Sequence, residues 1–395
     1  MDTLPTELRQ QILIHCPTPT LQSLRLTSKL WASLGFEYLI STTFTSLPHR
    51  PSFAHLLAIS RTSLSQKLKS LFLNLGELNE YHARHNSYFL QYMRDPDERL
   101  AAQESSWGSY AWFRDEKERY MPLACASELL NPALKNIPSL RRVEVSLTTC
   151  PFPEIEETEL LRQIWQIPST RLLPRVATTE RFTNLCLAIA GSPSRVEELS
   201  HDRLPLEFFA QKAITVSLIS TVFLSLTRLS LVLDYSDMPN NLHSSQAFQN
   251  LSHCLRSASN MESLSLSFQG RQKTDITPFF ASLAERDHVF EKLSDVKFEG
   301  VRCNEKDLVD FLSRNKRSLK NVQLGGPGLK APHQKANGGL TLSEGSWKSV
   351  FEKVLAGLAL QPKHFLIQGD MMQTDGRMFL VEDLAAAEDL GSLVK

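Results

Sequence analysis

Leu226-Thr227-Arg228-Leu229-Ser230-Leu231 spells an apolar residue, two spacers, a second apolar residue, one spacer and a third. Its last three residues alternate with a period of two, the pattern of a strand with one buried face. The same spacing occurs at Leu68/Leu71/Leu73, Leu140/Val143/Val145, Val196/Leu199/His201, Met261/Leu264/Leu266, Leu293/Val296/Phe298 and Leu319/Val322/Leu324, with Phe365/Ile367 as a shortened last copy. From the third copy onward the middle positions fall at 199, 229, 264, 296 and 322, so successive copies lie 26 to 35 residues apart. A unit of that length returning this often is the signature of a stacked repeat array, in which each unit buries its apolar side only against its neighbours. The segments between the strands have helical spacing. Phe248, Leu251, Cys254, Leu255 and Ala258 share one face over 246–258, and Leu308, Phe311 and Leu312 mark a helix over 307–318. Thr277-Pro278 reads as cap and first helical residue before Phe279, Phe280 and Leu283, and Ser346 caps a helix carrying Trp347, Val350, Phe351, Val354 and Leu358. Strand and helix alternate, so the expected class is α/β.

The L-x-x-L-x-L core resembles a leucine-rich repeat. That resemblance implies an irregular solenoid over 64–395, a curved parallel sheet with outer helices. The family's usual Asn or Cys, three positions past the last core leucine, is replaced by Gly76, Asp234, Gln269, Val301 and Pro327, so the copies are degenerate. Side chains alternate along a strand, so residues between the core positions point to the opposite, inner face. Those are Glu144, Ser146, Ser200, Asp202, Ser230, Val232, Ser265, Ser267, Lys297, Glu299 and Gln323. They either bind a protein substrate or are wetted strand surface. Two stretches break the rhythm. An insert at 74–132 is rich in aromatic and charged residues, with helices expected around Glu77–Arg94 and Asp97–Ser105, and it either competes as a binding site or fills a cap core. A Gly/Pro/Lys loop spans 325–342.

Ahead of the repeats stands MDTLPTELRQQILIHCPTPTLQSLRLTSKLWASLGF, residues 1–36. Leu4-Pro5 opens a short helix carrying Leu8, Ile12 and Leu13, and Glu7 lies at the positive end of its dipole. Pro17 and Pro19 break it, and Thr20 is the expected cap of a second helix with Leu21, Leu24, Ser28, Trp31 and Leu34 on one face. Helices this short hide too little surface to offset their ordering entropy, so the stripe needs a partner inside the chain or outside it. The order Leu4-Pro5-x-Glu7-Leu8, Ile12-Leu13, Leu21, Leu24-Arg25, Ser28-Lys29, Trp31 resembles an F-box, especially the fungal variety, with departures at His15-Cys16 and at the Pro17–Thr20 turn. The resemblance implies an F-box at 1–40 that grips a Skp-type adaptor, and through it a cullin, using Leu4, Pro5, Leu8, Ile12, Leu21, Leu24 and Trp31. A connecting segment over 41–63, with Pro48 and Pro51, is expected to lead into the solenoid.

Composition narrows the remaining classes. Lys and Arg total 43 against 43 for Asp and Glu, so no global field draws the chain to nucleic acid or an anionic membrane. The basic stretch from Lys297 to Lys335 is interrupted by acidic residues and reads as solvated surface. Its longest uncharged run, Ala213–Leu226, is too short to span a bilayer, and no signal peptide is read at the start. The six cysteines have no C-x-x-C spacing; they read as reduced thiols, and only ligands brought together in space could form a zinc site. An intracellular protein of cytoplasm or nucleus is expected. His82-x-x-His85 lacks a third ligand at a recognised spacing, and Gly325-Gly326-Pro327-Gly328 lacks the Lys-Ser/Thr ending of a phosphate loop. With no nucleophile elbow or H-E-x-x-H either, the expectation is no enzyme, no cofactor and no metal. The leading reading is a substrate-recognition subunit of a cullin–RING ubiquitin ligase. The alternatives are an interaction scaffold whose box acts outside ubiquitination or caps the solenoid, and an undetected hydrolase.

Overall fold

A computed structural model describes residues 4–36, 38, 41–84, 89–90, 93–120, 126–236, 241–270, 272–285, 287–328, 338–358 and 364–386. Three short helices open it: α1 Thr6–His15, α2 Thr18–Thr27 and α3 Lys29–Phe36. Strand and helix then alternate through β1 Thr43–Ser46, α4 Ser52–Ser60, β2 Ser70–Asn74, β3 Glu77–Leu78, α5 Glu80–Arg84, α6 Pro96–Tyr120, α7 Asn131–Lys135, β4 Arg142–Ser146, α8 Glu159–Trp165, β5 Arg171–Leu172 and α9 Arg175–Ala190. Next come β6 Glu198–Pro205, α10 Ala213–Phe223, β7 Arg228–Asp234, α11 Asn241–Ser257, β8 Ser263–Gln269, β9 Thr274–Asp275, α12 Thr277–Ala284, β10 Asp295–Glu299, β11 Val301–Asn304 and α13 Glu305–Arg314. The described chain ends with β12 Asn321–Gly325, β13 Leu340–Glu344, α14 Trp347–Leu358, β14 Phe365–Met372 and β15 Met378–Ala386.

Strands β1, β2, β4, β6, β7, β8, β10, β12 and β14 lie side by side in chain order, every neighbouring pair parallel. Their register joins Phe44, Leu71, Val143, Leu199, Leu229, Leu264, Val296, Val322 and Phe365 in one ladder. These residues and their i+2 neighbours face the helices. Leu231, Leu266 and Phe298 share one continuous core with Phe223 of α10, Phe248 and Leu251 of α11, Phe279 of α12, Leu308 of α13 and Val350 of α14. Parallel strands need crossovers, and the helices supply them while covering one sheet face.

Several local readings change. The segment 41–63, expected to be a connector, instead supplies β1 and α4, whose Phe53 and Leu56 enter the main core. The second amino-terminal helix is two helices. Ser28 has extended backbone angles and its hydroxyl accepts the Trp31 N–H at 3.2 Å, so it caps α3 and ends α2. Thr20 caps nothing, because α2 already begins at Thr18 after Pro17, with Pro19 tolerated in its first turn. Thr277 is the first residue of α12 and not its cap, which is Ile276; the Asp275 carboxylate just before it accepts the Thr277 N–H at 2.9 Å. In the insert, α6 runs to Tyr120, well past the expected Ser105, and starts from an Asp95 carboxylate that accepts the Asp97 and Glu98 N–H groups. Part of the helix expected at 77–94 lies outside the described residues, as do His85 and Cys125. Around α6 a satellite core gathers Leu78, Ala83, Phe113, Phe152, Leu161, Ile164 and Trp165.

His201 occupies a position that its ladder neighbours fill with leucine or valine. It is 1% exposed, its Nδ1 accepts the Arg203 N–H at 3.2 Å, and the ring stands edge-on to Phe182. Burial lowers its pKa to about 4, against a weak opposing pull from Asp202. The unfolded chain therefore takes up a proton near pH 6.5 that the folded chain refuses until about pH 4. Stability is fully present above pH 6.5 and falls below it, by about 2 kcal/mol at pH 5 and about 3 kcal/mol by pH 4. His201→Leu is expected to remove this component. Thermal midpoints of both chains at pH 7 and pH 5 check it: the wild-type drop should exceed the variant's.

Candidate functional site

Two surfaces carry the residues singled out by the sequence. In the first, α1–α3 close on a small core of Leu13, Leu21 and Trp31, with Cys16, Leu24, Leu34 and Tyr38 partly buried around it. Arg25 fastens α2 to α3, its Nε donating to the Ala32 carbonyl at 3.4 Å and its guanidinium lying 5.5 Å from the centre of the Phe36 ring. Leu21 and Trp31 are thus interior residues of this cluster. Leu4 and Leu24 are half-buried, while Pro5, Leu8 and Ile12 are exposed. Leu8 is 52% and Leu26 90% exposed, with Ile14, Leu30 and Phe36 also open. Six large apolar side chains on 31 residues is more than a solvated module needs, and such a surface marks an interaction site.

The second surface is the sheet face opposite the helices. Strand register places Glu144, Ser200, Ser230, Ser265, Lys297 and Gln323 in one transverse row that begins at Thr45 and passes through Phe72. The next row holds Val232, Ser267 and Glu299. Three of the expected surface residues are sequestered: Ser146, Ser267 and Glu299 are buried. Glu299 accepts the Ser267 hydroxyl at 3.0 Å and the Gly328 N–H at 2.9 Å, and pairs with Lys297 at 2.8 Å. A register shift between His201 and Leu204 takes Asp202 out of the row. Its carboxylate instead accepts the Leu147 and Thr148 N–H groups at 2.7 and 3.1 Å, together with the Ser146 and Thr148 hydroxyls. Along the amino-terminal ends of the strands Arg142, Glu198 and Arg228 alternate in charge, with nitrogen–oxygen distances of 3.8 Å.

No local pattern signals the part-buried ion network at the other end of the strands. Arg175, in the first turn of α9, forks onto Glu207 at 2.8 and 2.6 Å and reaches Asp234 at 2.7 Å, which also takes Arg203 at 3.3 Å. Burial pushes the Asp234 carboxyl up, but the Ser236 N–H and the two arginines outweigh it and hold the pKa below the usual range. Residues 32 and 59 positions apart leave no local signal of such pairing. These contacts are saturated and structural, and they offer no nucleophile–base pair. Among the described residues no group of three or more His, Cys, Asp or Glu could hold a metal ion. No described helix is long and apolar enough to cross a membrane. Cys186 and Cys254 are buried thiols whose pKa values rise through burial, the second to about 12.

Comparison with known families matches residues 1–35 to the F-box domain, the stretch that forms the three-helix cluster. Comparison with curated proteins finds no match. F-box domains in general bind Skp-type adaptors, and proteins that carry them are in general adaptors rather than enzymes, within SCF-type ligases. The chain is thus α/β, with three short amino-terminal helices that match the F-box domain standing ahead of a large parallel sheet.

Proposed function

We propose that the chain is the substrate-recognition subunit of an SCF-type cullin–RING E3 ubiquitin ligase, of the fungal kind with degenerate leucine-rich repeats. The amino-terminal module holds the Skp-type adaptor and through it the cullin; the sheet and its insert hold a protein substrate. Such a subunit breaks no bond itself. It raises the effective concentration of a substrate lysine beside the conjugating enzyme. The observation that carries the reading is the small separate core of α1–α3 with Leu8 and Ile12 left outside it, a folded module keeping apolar surface free. Under the competing reading, in which the module merely caps the sheet, that surface would be covered by later segments of the chain.

The test is a Leu8→Glu/Ile12→Glu chain produced in cells and co-purified with its partners. Both side chains are exposed, so the thermal midpoint should stay within a degree or two of wild type. Adaptor and cullin recovery should fall at least 100-fold, since a charge placed in an apolar contact is left unpaired on binding. Unchanged recovery of the adaptor would sink the proposal.

A further inference from the structure

The outer face of α6 is a six-residue stripe of Asp97, Leu100, Glu104, Gly108, Trp112 and Asp115, spaced three or four apart and exposed at every position. Neighbours at that spacing stack along one side of a helix, so the stripe is a straight ridge roughly 27 Å long. Three features set it apart from a merely wetted helix. Gly108 sits in mid-helix, where it is among the poorest choices. Nothing in the fold requires it: its backbone is not left-handed and an added Cβ would meet no atom within 4 Å. Trp112 is 46% exposed, with its ring centre 6.3 Å from that of the buried His49. Leu100 is open in the same way about two turns before Gly108. Finally, Asp97 and Glu104 make no ion pair among the described residues, and Asp115 meets only its chain neighbour Arg114, at 3.4 Å.

A notch in the middle of a helix lets a second helix approach backbone to backbone. Apolar anchors on either side of the notch are the arrangement of an interface centre. Carboxylates along the ridge select positive charge on whatever lies there. We propose that α6 is the docking ridge for an amphipathic, Lys/Arg-flanked helix of the substrate, with the helices crossing at Gly108 and apolar residues of the partner packing on Trp112 and Leu100. This deepens the substrate-receptor reading and rests on it for the identity of the partner as a substrate.

The experiment uses the full chain and two synthetic 20-residue helices sharing one leucine stripe, the first flanked by lysines and the second by glutamates. The lysine-flanked peptide should bind at least tenfold more tightly, and more weakly as salt rises. Gly108→Gln improves helix propensity, so its thermal midpoint should rise by a few degrees while affinity for the lysine-flanked peptide falls at least tenfold. Glu104→Lys/Asp115→Lys should reverse the preference between the two peptides. Equal binding of the two peptides by wild type, or a Gly108→Gln chain that binds within twofold of wild type, overturns the proposal. Adaptor recovery is measured on the same samples. A Gly108→Gln chain that loses peptide but keeps adaptor localises the effect to the ridge. Failure of the ligase reading would appear separately, as adaptor binding that survives Leu8→Glu/Ile12→Glu.

Discussion

Gly325→Ala is expected to destabilise the chain by about 3–5 kcal/mol, the range reserved for backbone strain and steric overlap that cannot relax. Gly325 ends β12 with φ at +89°, and a Cβ there would fall 1.8 Å from the Gln368 carbonyl oxygen of β14. The obstruction is backbone, so relief requires the β12–β14 pair to open at Gly325 and Gln368. The neighbourhood is equally crowded. A Cβ on Gly339 would lie 2.1 Å from the Asp370 carbonyl oxygen, and one on Gly369, at φ +96°, 2.4 Å from the Gly339 nitrogen. The Gly338 carbonyl accepts N–H groups from both Gly300 and Gly326, at 3.0 and 3.1 Å. Here two rows of strands meet: β9, β11 and β13 pair in parallel beside the main row, and β14 bridges them, pairing with β12 at its start and β13 at Met372. Gly376→Ala is the control, with φ at +79° but no atom within 4 Å of the new Cβ; it should cost only about 1 kcal/mol. Urea midpoints of the two variants give the comparison. If alanine at 325 costs no more than at 376, the glycine crossing is not what holds the two rows together.

Much of the main row was legible because each strand announces itself locally. The apolar positions read from the sequence pair residue for residue across β2, β4, β6, β7, β8, β10, β12 and β14. The second row was not legible, since β9 and β11 have two and four residues and take their meaning from neighbours far along the chain. β1 escaped notice for a related reason: Thr43-Phe44-Thr45-Ser46 offers one large apolar residue, and Pro48 and Pro51 follow it closely. For the candidate sites the limit was burial. Alternation places Ser267 and Glu299 opposite the core face, but their mutual hydrogen bond and the close approach of Gly326, Gly328 and Gly338 to the Glu299 carboxylate, which hold them out of solvent, have no local signal. Likewise the periodicity of Leu21 and Trp31 marked them as important without telling core from contact surface.

That last distinction makes Trp31→Ala the second large effect. Trp31 is 2% exposed and the largest member of a core whose other fully buried apolar residues are Leu13 and Leu21. Removing a buried indole costs about 3–5 kcal/mol through lost transfer energy and the cavity left behind. A cluster of three short helices has little more stability than that to lose. The module should therefore unfold as a unit while the sheet, whose core is a separate cluster, stays folded. Hydrogen exchange reads both halves in one sample: amides of α1–α3 should lose protection, and those of β7, β8 and β10 should keep it. Leu26→Ala, on a side chain 90% exposed, should change neither. Adaptor recovery then separates two ways of failing. Trp31→Ala loses the adaptor because the module is gone, whereas Leu8→Glu/Ile12→Glu loses it with α1–α3 still protected. Retained protection in the Trp31→Ala chain would mean that the helices draw their stability from the sheet rather than from Leu13, Leu21 and Trp31, and that the module has no independent fold with which to present a binding surface.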